Sequence, residues 1–279
     1  MEQPFRLGAV AYDPKVVTIW EGFKEFFAQA GFAFDYVLYS NYESQVLGHF
    51  DGQCDVAWNS PLAWIEAERL ATQNGRKASA IAMRDTDRDL TSVVIARRDG
   101  DIATLADLKG KRVAVGAKDS PQASLIPLEF IAASGLAPSQ DFEVIHFNTG
   151  EGKHGDHIGG ERDAAKALMA GQADACCILD ANRLLFARQA SLPGGATRII
   201  AETEPFDHCN FTVFGDAPQA FAARFVELLL AMSYDDPAVR PLLDMEGLKQ
   251  WLPGRVSGYA ALNRAVDRFN FLDGFLAAR

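Results

Sequence analysis

Two histidines and an aspartate stand close together in the segment 154–157, which reads His-Gly-Asp-His. Imidazole nitrogens and carboxylate oxygens are ligands for divalent metals, and Glu161 follows shortly after in the chain. The stretch 148–160 is rich in glycine and predicts a loop, so the sequence leaves the geometry of such a site unspecified. The same composition suits a loop that contacts a ligand, or a solvated loop. We favour the ligand-contacting loop with His157 as its contact; His154 and His157 are the metal ligands of the less favoured alternative.

Serine and amide side chains mark two predicted helix starts, each of which follows a predicted strand. Ser120, Gln122 and Ser124 lie at one start, and Asn59 and Ser60 lie at the other, with proline after Ser60 and after Ser120. Backbone N–H groups and hydroxyls at a helix start bind anions or carboxylates. The alternative is that each serine only caps its helix. We predict that all five residues contact a ligand.

Two aromatic residues stand at the same ends of predicted strands. Tyr12 follows the first strand, where it can stack on a ligand or hydrogen-bond to it, while the neighbouring Asp13 is predicted to cap a helix. Trp58 ends the third strand and either lines a cleft or belongs to the core. In open α/β sheets ligands bind beyond the carboxyl ends of the strands, so Tyr12 and Trp58 join the predicted ligand contacts.

Catalytic motifs are scarce in this chain. It contains no Gly-x-Ser-x-Gly elbow, and the segment 150–153 lacks the first glycine and the following Ser or Thr of a phosphate-binding loop. A Cys/His dyad, either Cys54 with His49 or Cys177 with His154, is the remaining nucleophilic option, and nothing in the pattern supports it. The sequence therefore predicts no cofactor and leans away from an enzyme.

A repeated phrase shows which elements must position these residues. Residues 45–58 and 163–179 each predict a helix, a turn that begins Gly-Gln and ends in Asp, and an apolar strand. Both copies lead into a further predicted helix, Ser60–Leu70 and Asp180–Gln189. Strands that alternate with helices predict parallel α/β sheets, and a repeat about half a chain apart predicts two similar lobes. Proteins of this kind usually bind a small molecule in the cleft between the lobes.

The lobes can be given approximate limits from the extended runs. We predict lobe one at 1–97 plus 205–279 and lobe two at 98–204. The apolar run Ser92–Ala96 is a natural strand for crossing from lobe one to lobe two, and Thr197–Glu202 or Asn210–Phe214 is suited to crossing back.

Composition limits the function classes. The chain has 279 residues, a net charge of −10 and 48% hydrophobic residues, and it has no Lys/Arg run, so a nucleic-acid partner is not expected. No apolar stretch approaches the ~18 residues of a membrane span, so membrane insertion is not expected either. The four cysteines lack metal or redox spacing and are predicted to be buried thiols. We expect a cytoplasmic protein if Met1 is the natural start, and a periplasmic one if a signal peptide has been removed.

Three stretches, taken in their order, resemble one known family. They are 106–115 (Ala-Asp-Leu-Lys-Gly-Lys-Arg-Val-Ala-Val), 118–124 (Lys-Asp-Ser-Pro-Gln-Ala-Ser), and the phrase from Gly160 through 171–175 (Gly-Gln-Ala-Asp-Ala). The first resembles the start of the second lobe in many ABC-transporter substrate-binding proteins. The others resemble the phosphate/phosphite/phosphonate-binding subfamily. The resemblance implies the type 2 periplasmic-binding fold: two Rossmann-like lobes, joined by two crossing strands, with the ligand in the cleft between them.

The chain departs from the subfamily pattern at positions that matter for the ligand. Counting back from Gly171, the family's histidine falls on Glu161 and its serine falls on Gly160. A poorly solvated carboxylate at that place would repel a dianion by roughly a few kcal/mol. Asp180 matches a position that is often acidic in the family. With Glu161 and Asp180 both expected near the cleft, we favour an ammonium-bearing, hydroxylated or zwitterionic ligand over simple phosphate.

Three functions remain open from the sequence. The first is an ABC-transporter substrate-binding protein, or a relative without a signal peptide, that closes by hinge motion over a small organic or oxyanionic ligand and has an ABC permease as its partner. The second is a cytosolic enzyme on the same fold, a lyase or biosynthetic enzyme that a metal could assist; the Cys-rich motif of the thiamin-forming relatives is missing. The third is a ligand sensor. The predicted ligand contacts are Tyr12, Trp58, Asn59, Ser60, Ser120, Gln122, Ser124, His157, Glu161 and Asp180.

Overall fold

The computed structural model of the chain describes residues 3–277. Within these residues the chain forms eleven strands: β1 (Phe5–Val10), β2 (Phe34–Tyr39), β3 (Val56–Asn59), β4 (Ala78–Arg84), β5 (Ser92–Arg97), β6 (Arg112–Val115), β7 (Glu143–His146), β8 (Ala175–Leu179), β9 (Thr197–Glu202), β10 (Asn210–Phe214) and β11 (Trp251–Pro253). The same residues form ten α-helices: α1 (Lys15–Gln29), α2 (Tyr42–Phe50), α3 (Pro61–Gln73), α4 (Ile126–Ala133), α5 (Gly159–Met169), α6 (Asn182–Arg188), α7 (Gln219–Leu230), α8 (Arg240–Glu246), α9 (Ala260–Phe269) and α10 (Asp273–Ala277). Over residues 3–277, no helix combines the length and apolar character that crossing a membrane requires.

The chain forms two compact units. Unit 1 contains the described residues up to Arg88, then Asp207–Gly258 and those from Leu272, and unit 2 contains Asp89–Phe206 and Tyr259–Phe271. These limits differ from the predicted lobes, 1–97 plus 205–279 and 98–204, for two reasons. Strand β5 pairs with β8 and β9 of unit 2, and α9 packs on α4 of the same unit.

Unit 1 is built on a six-stranded sheet in the order β11-β4-β10-β3-β1-β2. Strand β1 is parallel to β2 and β3, and β10 is antiparallel to β3. Helix α1 buries the five apolar residues that the sequence spaces at helical intervals, so the predicted stripe faces a core: Val16, Ile19, Trp20, Phe23 and Phe27. The parallel strands place Tyr12, after β1, and Ser60, after β3, at the same edge of this sheet.

Unit 2 is built on a five-stranded sheet in the order β7-β6-β8-β5-β9. Strand β6 is parallel to β7 and β8, while β5 is antiparallel to β8 and β9. The run expected to cross between lobes, Ser92–Ala96, lies in this sheet along its whole length, paired residue by residue with β8. The chain thus enters unit 2 before β5 begins and leaves it after β9 ends, at Phe206. The mixed α/β architecture predicted from the sequence is confirmed.

The two serine-proline helix starts fold differently. Ser60 accepts a hydrogen bond from the Ala63 N–H at 3.1 Å and begins the regular helix α3. Ser120 also caps its segment, but a π turn over Pro121–Leu125 precedes α4, where the sequence predicts one regular helix from Gln122. The turn forms because the Leu125 N–H reaches the Ser120 carbonyl oxygen at 3.0 Å. Single π turns inside helices are frequent at functional sites.

All four cysteines are buried free thiols, as predicted. Burial raises the pKa of Cys54 and of Cys177 to about 12 and also raises that of Cys176. Thiols that are protonated at neutral pH are poor nucleophiles, so these three are structural. Burial likewise lowers the pKa of the His49 imidazole to about 4, which leaves the ring neutral and ill suited to the proposed dyad with Cys54.

Candidate functional site

A helix start with several polar side chains follows the carboxyl end of β6. We call Asp119, Ser120, Gln122 and Ser124 the Ser120 cluster. Gly116, which follows β6, donates its N–H to the Ala123 carbonyl oxygen at 2.9 Å, so the turn folds back onto the strand end. A Cβ on Gly116 would lie 2.9 Å from the Ala123 Cβ, too close for any other residue without a shift. Glycine is therefore needed where strand and turn meet.

The cap of this helix start is internally satisfied. The Ser120 hydroxyl oxygen accepts the Ala123 N–H at 3.2 Å, and the hydroxyl keeps its own proton for donation. The Gln122 carbonyl oxygen accepts the Ser92 hydroxyl proton at 2.5 Å, which ties the turn to β5. These bonds fix the backbone of the turn. They do not involve the side-chain oxygens of Asp119, Gln122 and Ser124.

Three side-chain atoms of the Ser120 cluster are buried without a hydrogen-bond partner among the described residues. They are Asp119 Oδ1, Gln122 Oε1 and Ser124 Oγ, on residues that are 3%, 2% and 0% exposed. Buried polar atoms normally have partners, and a buried unsatisfied group costs roughly 1–3 kcal/mol. Their concentration at the edge where α/β sheets bind ligands indicates a binding site.

The glycine-rich loop, residues 148–158, covers the Ser120 cluster. Asp119 Oδ2 accepts the Gly152 N–H at 2.6 Å and the His154 N–H at 3.4 Å. Gln122 Nε2 donates to the Gly155 carbonyl oxygen at 3.0 Å. A Cβ on Gly155 would lie 2.4 Å from Gln122 Nε2 and 2.5 Å from the Ser120 hydroxyl oxygen, and its φ is +82°. Only glycine allows this approach of the loop backbone.

Burial also shifts the pKa of the one carboxyl in the cluster, that of Asp119. It raises the pKa of the Asp119 carboxyl above its ordinary value, while the adjacent His154 and the two loop N–H groups act in the opposite direction. The site therefore holds a carboxyl in a place of low solvent access. Asp119 was not among the residues predicted to contact a ligand. The available signal was an acidic residue directly before a capping serine at a strand end.

The Glu161 side chain forms its hydrogen bonds within unit 2. On α5, it accepts the Leu179 N–H at 2.8 Å and the Asn182 side-chain N–H at 3.0 Å through Oε1. The carboxylate thus joins α5 to the end of β8 and the start of α6, and it is 3% exposed. Repulsion of an anion, expected from the sequence, is reduced because neutral donors already face one carboxylate oxygen. Asp180, after β8, is partly exposed and pairs with Arg183 at 2.9 Å.

The two histidines of the loop lie in different surroundings. His154 is fully buried with a φ of +47°, whereas His157 is exposed. His157 Nδ1 accepts the Gly159 N–H at 3.3 Å, and the ring packs where a Cβ on Gly150 would fall. One ring nitrogen of His157 is thus engaged in holding the loop, which lowers its availability to a metal.

At the equivalent place in unit 1, the Asn59 side chain is hydrogen-bonded through both its oxygen and its nitrogen. Asn59 Nδ2 donates to the Thr212 hydroxyl oxygen at 2.9 Å, and Asn59 Oδ1 accepts from Gln45 Nε2 at 2.8 Å. Gln45 Nε2 also reaches the Trp58 carbonyl oxygen at 2.9 Å, and Gln45 Oε1 has no partner among the described residues. Ser60 is buried and caps α3. These side chains hold β3, α2 and β10 together.

The predicted aromatic contacts are placed unequally. Trp58 is buried in the unit 1 core, with its ring 4.6 Å from Phe211 and the Arg84 guanidinium 5.1 Å away. Tyr12 is partly exposed after β1, and the Lys15 ammonium lies 5.7 Å from its ring centre. Of the two, Tyr12 presents surface to a ligand at the strand ends.

A second group of potential metal ligands lies in unit 1. His208 Nδ1 is 3.1 Å from Cys209 Sγ and 3.6 Å from Asp87 Oδ1, and all three residues are buried. Burial raises the pKa of Asp87, but the forked Arg84 guanidinium outweighs that effect and brings it to about 2. Asp87 is therefore an ion-pair partner of a cation that would oppose a metal at the same place.

Comparisons with known proteins agree on one family and one fold. Residues 10–259 match the family model described as the phosphonate periplasmic substrate-binding protein of an ABC transporter. A probable ABC transporter phosphite-binding protein, PhnD1 of Prochlorococcus marinus, is 28% identical over 152 residues, which cover 52% of this chain and 46% of that protein. The matched stretch therefore spans less than half of that relative.

Solved structures show the same fold at low sequence identity. PhnD1 of Prochlorococcus marinus in complex with methylphosphonate superposes with a TM-score of 0.70 and 17% identity, covering 95% of this chain and 98% of that one. XAC2383 of Xanthomonas citri bound to ATP superposes with a TM-score of 0.72 and 16% identity, covering 95% of this chain and 99% of that one. The resemblance found in the sequence, and the type 2 periplasmic-binding fold that it implied, are confirmed.

Proposed function

This chain belongs to the family of phosphonate periplasmic substrate-binding proteins of ABC transporters, and from that premise we propose that it binds a small oxyanion of the phosphonate or phosphite class. The Ser120 cluster supplies the principal contacts, with hydroxyl protons from Ser120 and Ser124 donated to the anion. Helix starts bind such groups through exposed N–H groups and hydroxyls. Similar proteins are described as binding phosphite and methylphosphonate, which supports the same chemical class.

One observation carries the proposal: three buried polar atoms without partners stand together at the end of β6. A structural cap would leave none, because a cap needs only the Ser120 hydroxyl oxygen and the Ala123 N–H. A bound ligand that both accepts and donates hydrogen bonds would supply partners for these atoms. The cost of leaving them bare in the empty protein is then offset by the contacts made on binding.

The remaining predicted contacts take secondary places in the proposal. Tyr12, after β1 in unit 1, and His157, in the glycine-rich loop of unit 2, each stay predicted ligand contacts. Asn59, Ser60 and Trp58 act by shaping unit 1. A transport role implies export to the periplasm and an ABC permease as partner, as in the family.

The test begins with native mass spectrometry of the purified chain, to establish whether a small molecule is retained. Ligand-free protein is then titrated calorimetrically with phosphite, methylphosphonate and phosphate. We expect saturable one-to-one binding of phosphite or methylphosphonate. Absence of saturable binding for all three anions, with the protein folded by circular dichroism, would refute the proposed ligand class.

A matched pair of serine variants locates the site. Ser124→Ala removes an unpartnered hydroxyl of the cluster, and we expect affinity to fall about tenfold, the value of one hydrogen bond to a charged group. Ser134→Ala removes a hydroxyl that bonds the Ile131 carbonyl oxygen at the other end of α4, and affinity should stay unchanged. Equal losses in both variants would place the binding site elsewhere.

A further inference from the structure

Two of the unpartnered atoms in the Ser120 cluster are hydrogen-bond acceptors: the amide oxygen of Gln122, and Asp119 Oδ1 when the carboxyl is ionised. The amide of Gln122 is held in one orientation, because Nε2 donates to the Gly155 carbonyl oxygen at 3.0 Å. Turning the amide would bring Oε1 against that carbonyl, two acceptors facing each other. Gln122 Oε1 is therefore an acceptor that meets no donor among the described residues.

Asp119 is held in the same way. Its Oδ2 takes the N–H groups of Gly152 and His154, so the carboxylate cannot turn without breaking contact with the loop. Its Oδ1 then stands as a second acceptor without a donor among the described residues. Both side chains are at least 97% buried, so water does not freely serve either atom.

These two acceptors limit which oxyanions the site can hold. An anion whose oxygens all lack protons would meet an amide oxygen and a carboxylate oxygen, and both contacts are repulsive. An anion that keeps one acidic hydroxyl can donate it there, while its other oxygens take the serine hydroxyl protons. Phosphate-like groups have a second pKa of about 6, so a fraction of them carries such a proton near neutral pH and can be selected by the site, whereas sulfonates have none to give.

Building on the proposed function, we propose that Asp119 Oδ1 and Gln122 Oε1 determine specificity by accepting the acidic hydroxyl of a monoprotonated phosphonate or phosphite. The pair thereby rejects a sulfonate of the same size and shape. Sites that bury a hydrogen-bonding group reject analogues that leave it unpaired far more strongly than sites that only sense size. The hydroxyls of Ser120 and Ser124 bind both kinds of anion and confer no preference.

An ammonium group on the ligand could supply the same donor, and the probes must separate these sources. Four compounds do so in calorimetric titration of the full chain: methylphosphonate, methanesulfonate, 2-aminoethylphosphonate and 2-aminoethanesulfonate. We expect both phosphonates to bind at least about 30-fold tighter than the matching sulfonates, the ratio for one buried acceptor left unpaired. Recovery of tight binding by 2-aminoethanesulfonate would show that an ammonium is the donor and would overturn the proposal.

Asp119→Asn is the decisive variant. The asparagine oxygen can still accept the Gly152 N–H, while its amide nitrogen places a donor where Oδ1 now accepts. We expect methylphosphonate to weaken and methanesulfonate to strengthen, so that their affinity ratio falls at least about tenfold. The matched control is Asp141→Asn, because Asp141 Oδ2 anchors a different loop of unit 2 through the Ala137 N–H at 2.8 Å. In Asp141→Asn, the ratio of the affinities for methylphosphonate and methanesulfonate should match that of the unaltered chain.

Gln122→Leu provides a second variant in case Asp119→Asn fails to fold. It removes the acceptor without adding a donor, and the preference for methylphosphonate should again fall. Equal affinity of the unaltered chain for methylphosphonate and methanesulfonate would overturn the proposal, and so would a ratio that neither variant changes. If neither phosphite nor any of the four compounds binds, the proposed function itself fails, an outcome distinct from binding without preference.

Discussion

The helix starts at Ser60 and Ser120 share a sequence signal and differ in what surrounds it. Each serine follows a parallel strand, precedes a proline and caps its segment. Around Ser60, the Asn59 side chain is bonded at both ends, and the helix that follows is regular. Around Ser120, the segment starts with a π turn, and three side-chain atoms have no hydrogen-bond partner within residues 3–277.

The difference shows that the same local motif can stand in two different hydrogen-bonding environments. In unit 1 the polar side chains join β3, α2 and β10. In unit 2 the glycine-rich loop holds Asp119 and Gln122, and one oxygen of each has no partner among residues 3–277, which is why we propose this place as the binding site. Rigid groups with unmet hydrogen bonds bind well because little order is lost on binding.

The largest effect should come from the close backbone approach beneath the Ser120 cluster. In Gly160→Ala, the new Cβ would lie 2.1 Å from the Phe147 carbonyl oxygen and 3.0 Å from the Ala117 nitrogen. We expect a loss of about 3 kcal/mol in the free energy of unfolding, measured by urea denaturation, because backbone atoms yield poorly. Gly194→Ala, with nothing within 4 Å of its Cβ, is the control. Equal stability of the two variants would mean that the loop does not pack as described.

The burial of His49 in unit 1 should make the free energy of unfolding depend on pH. Burial lowers the pKa of His49 from 6.5 to about 4, so the folded chain binds this proton less readily than the unfolded chain. The stabilisation is complete above pH 6.5 and is lost as the pH falls towards 4, by about 1.4 kcal/mol per pH unit. In His49→Gln, the free energy of unfolding, measured by thermal unfolding at several pH values in this range, should vary less steeply with pH. The exposed His157→Gln should keep the slope of the unaltered chain, and a slope unchanged in both would contradict the burial of His49.

Asn59→Ala tests the network that makes the first helix start structural. The change leaves Gln45 Nε2 without one acceptor and the Thr212 hydroxyl without its donor, both inside the unit. We expect about 2 kcal/mol of destabilisation in urea unfolding. Asn74→Ala, which removes a surface bond to the Leu70 carbonyl oxygen, should cost about 0.5 kcal/mol or less. A cost for Asn59→Ala as small as that control would remove the contrast between the two helix starts.

The smallest effect is expected at the unpartnered hydroxyl of the second helix start. Ser124→Ala removes a buried hydroxyl that has no hydrogen-bond partner within unit 2, so the free energy of unfolding without ligand should rise by about 1 kcal/mol. Ser92→Ala is the matched comparison, since that buried serine bonds the Gln122 carbonyl oxygen, and it should cost about 1–2 kcal/mol. Urea unfolding of the two ligand-free variants decides the matter: equal costs would show that Ser124 has a structural partner.

Much of the fold could be predicted from the sequence because its signals are local. The proline and capping hydroxyl at Ser60 and Ser120 act within one helical turn, and the apolar stripe of α1 follows from helical spacing alone. The membership of β5 could not be predicted this way. An apolar strand suits either sheet, and pairing with β8 and β9 depends on residues about a hundred positions away.

Part of the Ser120 cluster follows from the sequence, while its contact with a ligand stays a prediction. Ser120, Gln122 and Ser124 were singled out for their residue types at a helix start, and the structure places them together beneath the glycine-rich loop. Asp119 was missed because a capping residue and its neighbour look alike in sequence. Glu161 was interpreted as a cleft carboxylate, but it faces the Leu179 N–H and the Asn182 amide of its own unit.

The sequence by itself determined the family, the alternation of strands and helices, and the places where helices begin, since each depends on residues close together in the chain. Only the tertiary structure decided which polar atoms have hydrogen-bond partners among the described residues and which do not. That outcome depends on distant partners, such as Thr212 for Asn59, 153 positions apart, and Gly155 for Gln122, 33 positions apart. A buried polar group is defined by what folds against it, and residue type alone does not contain that information.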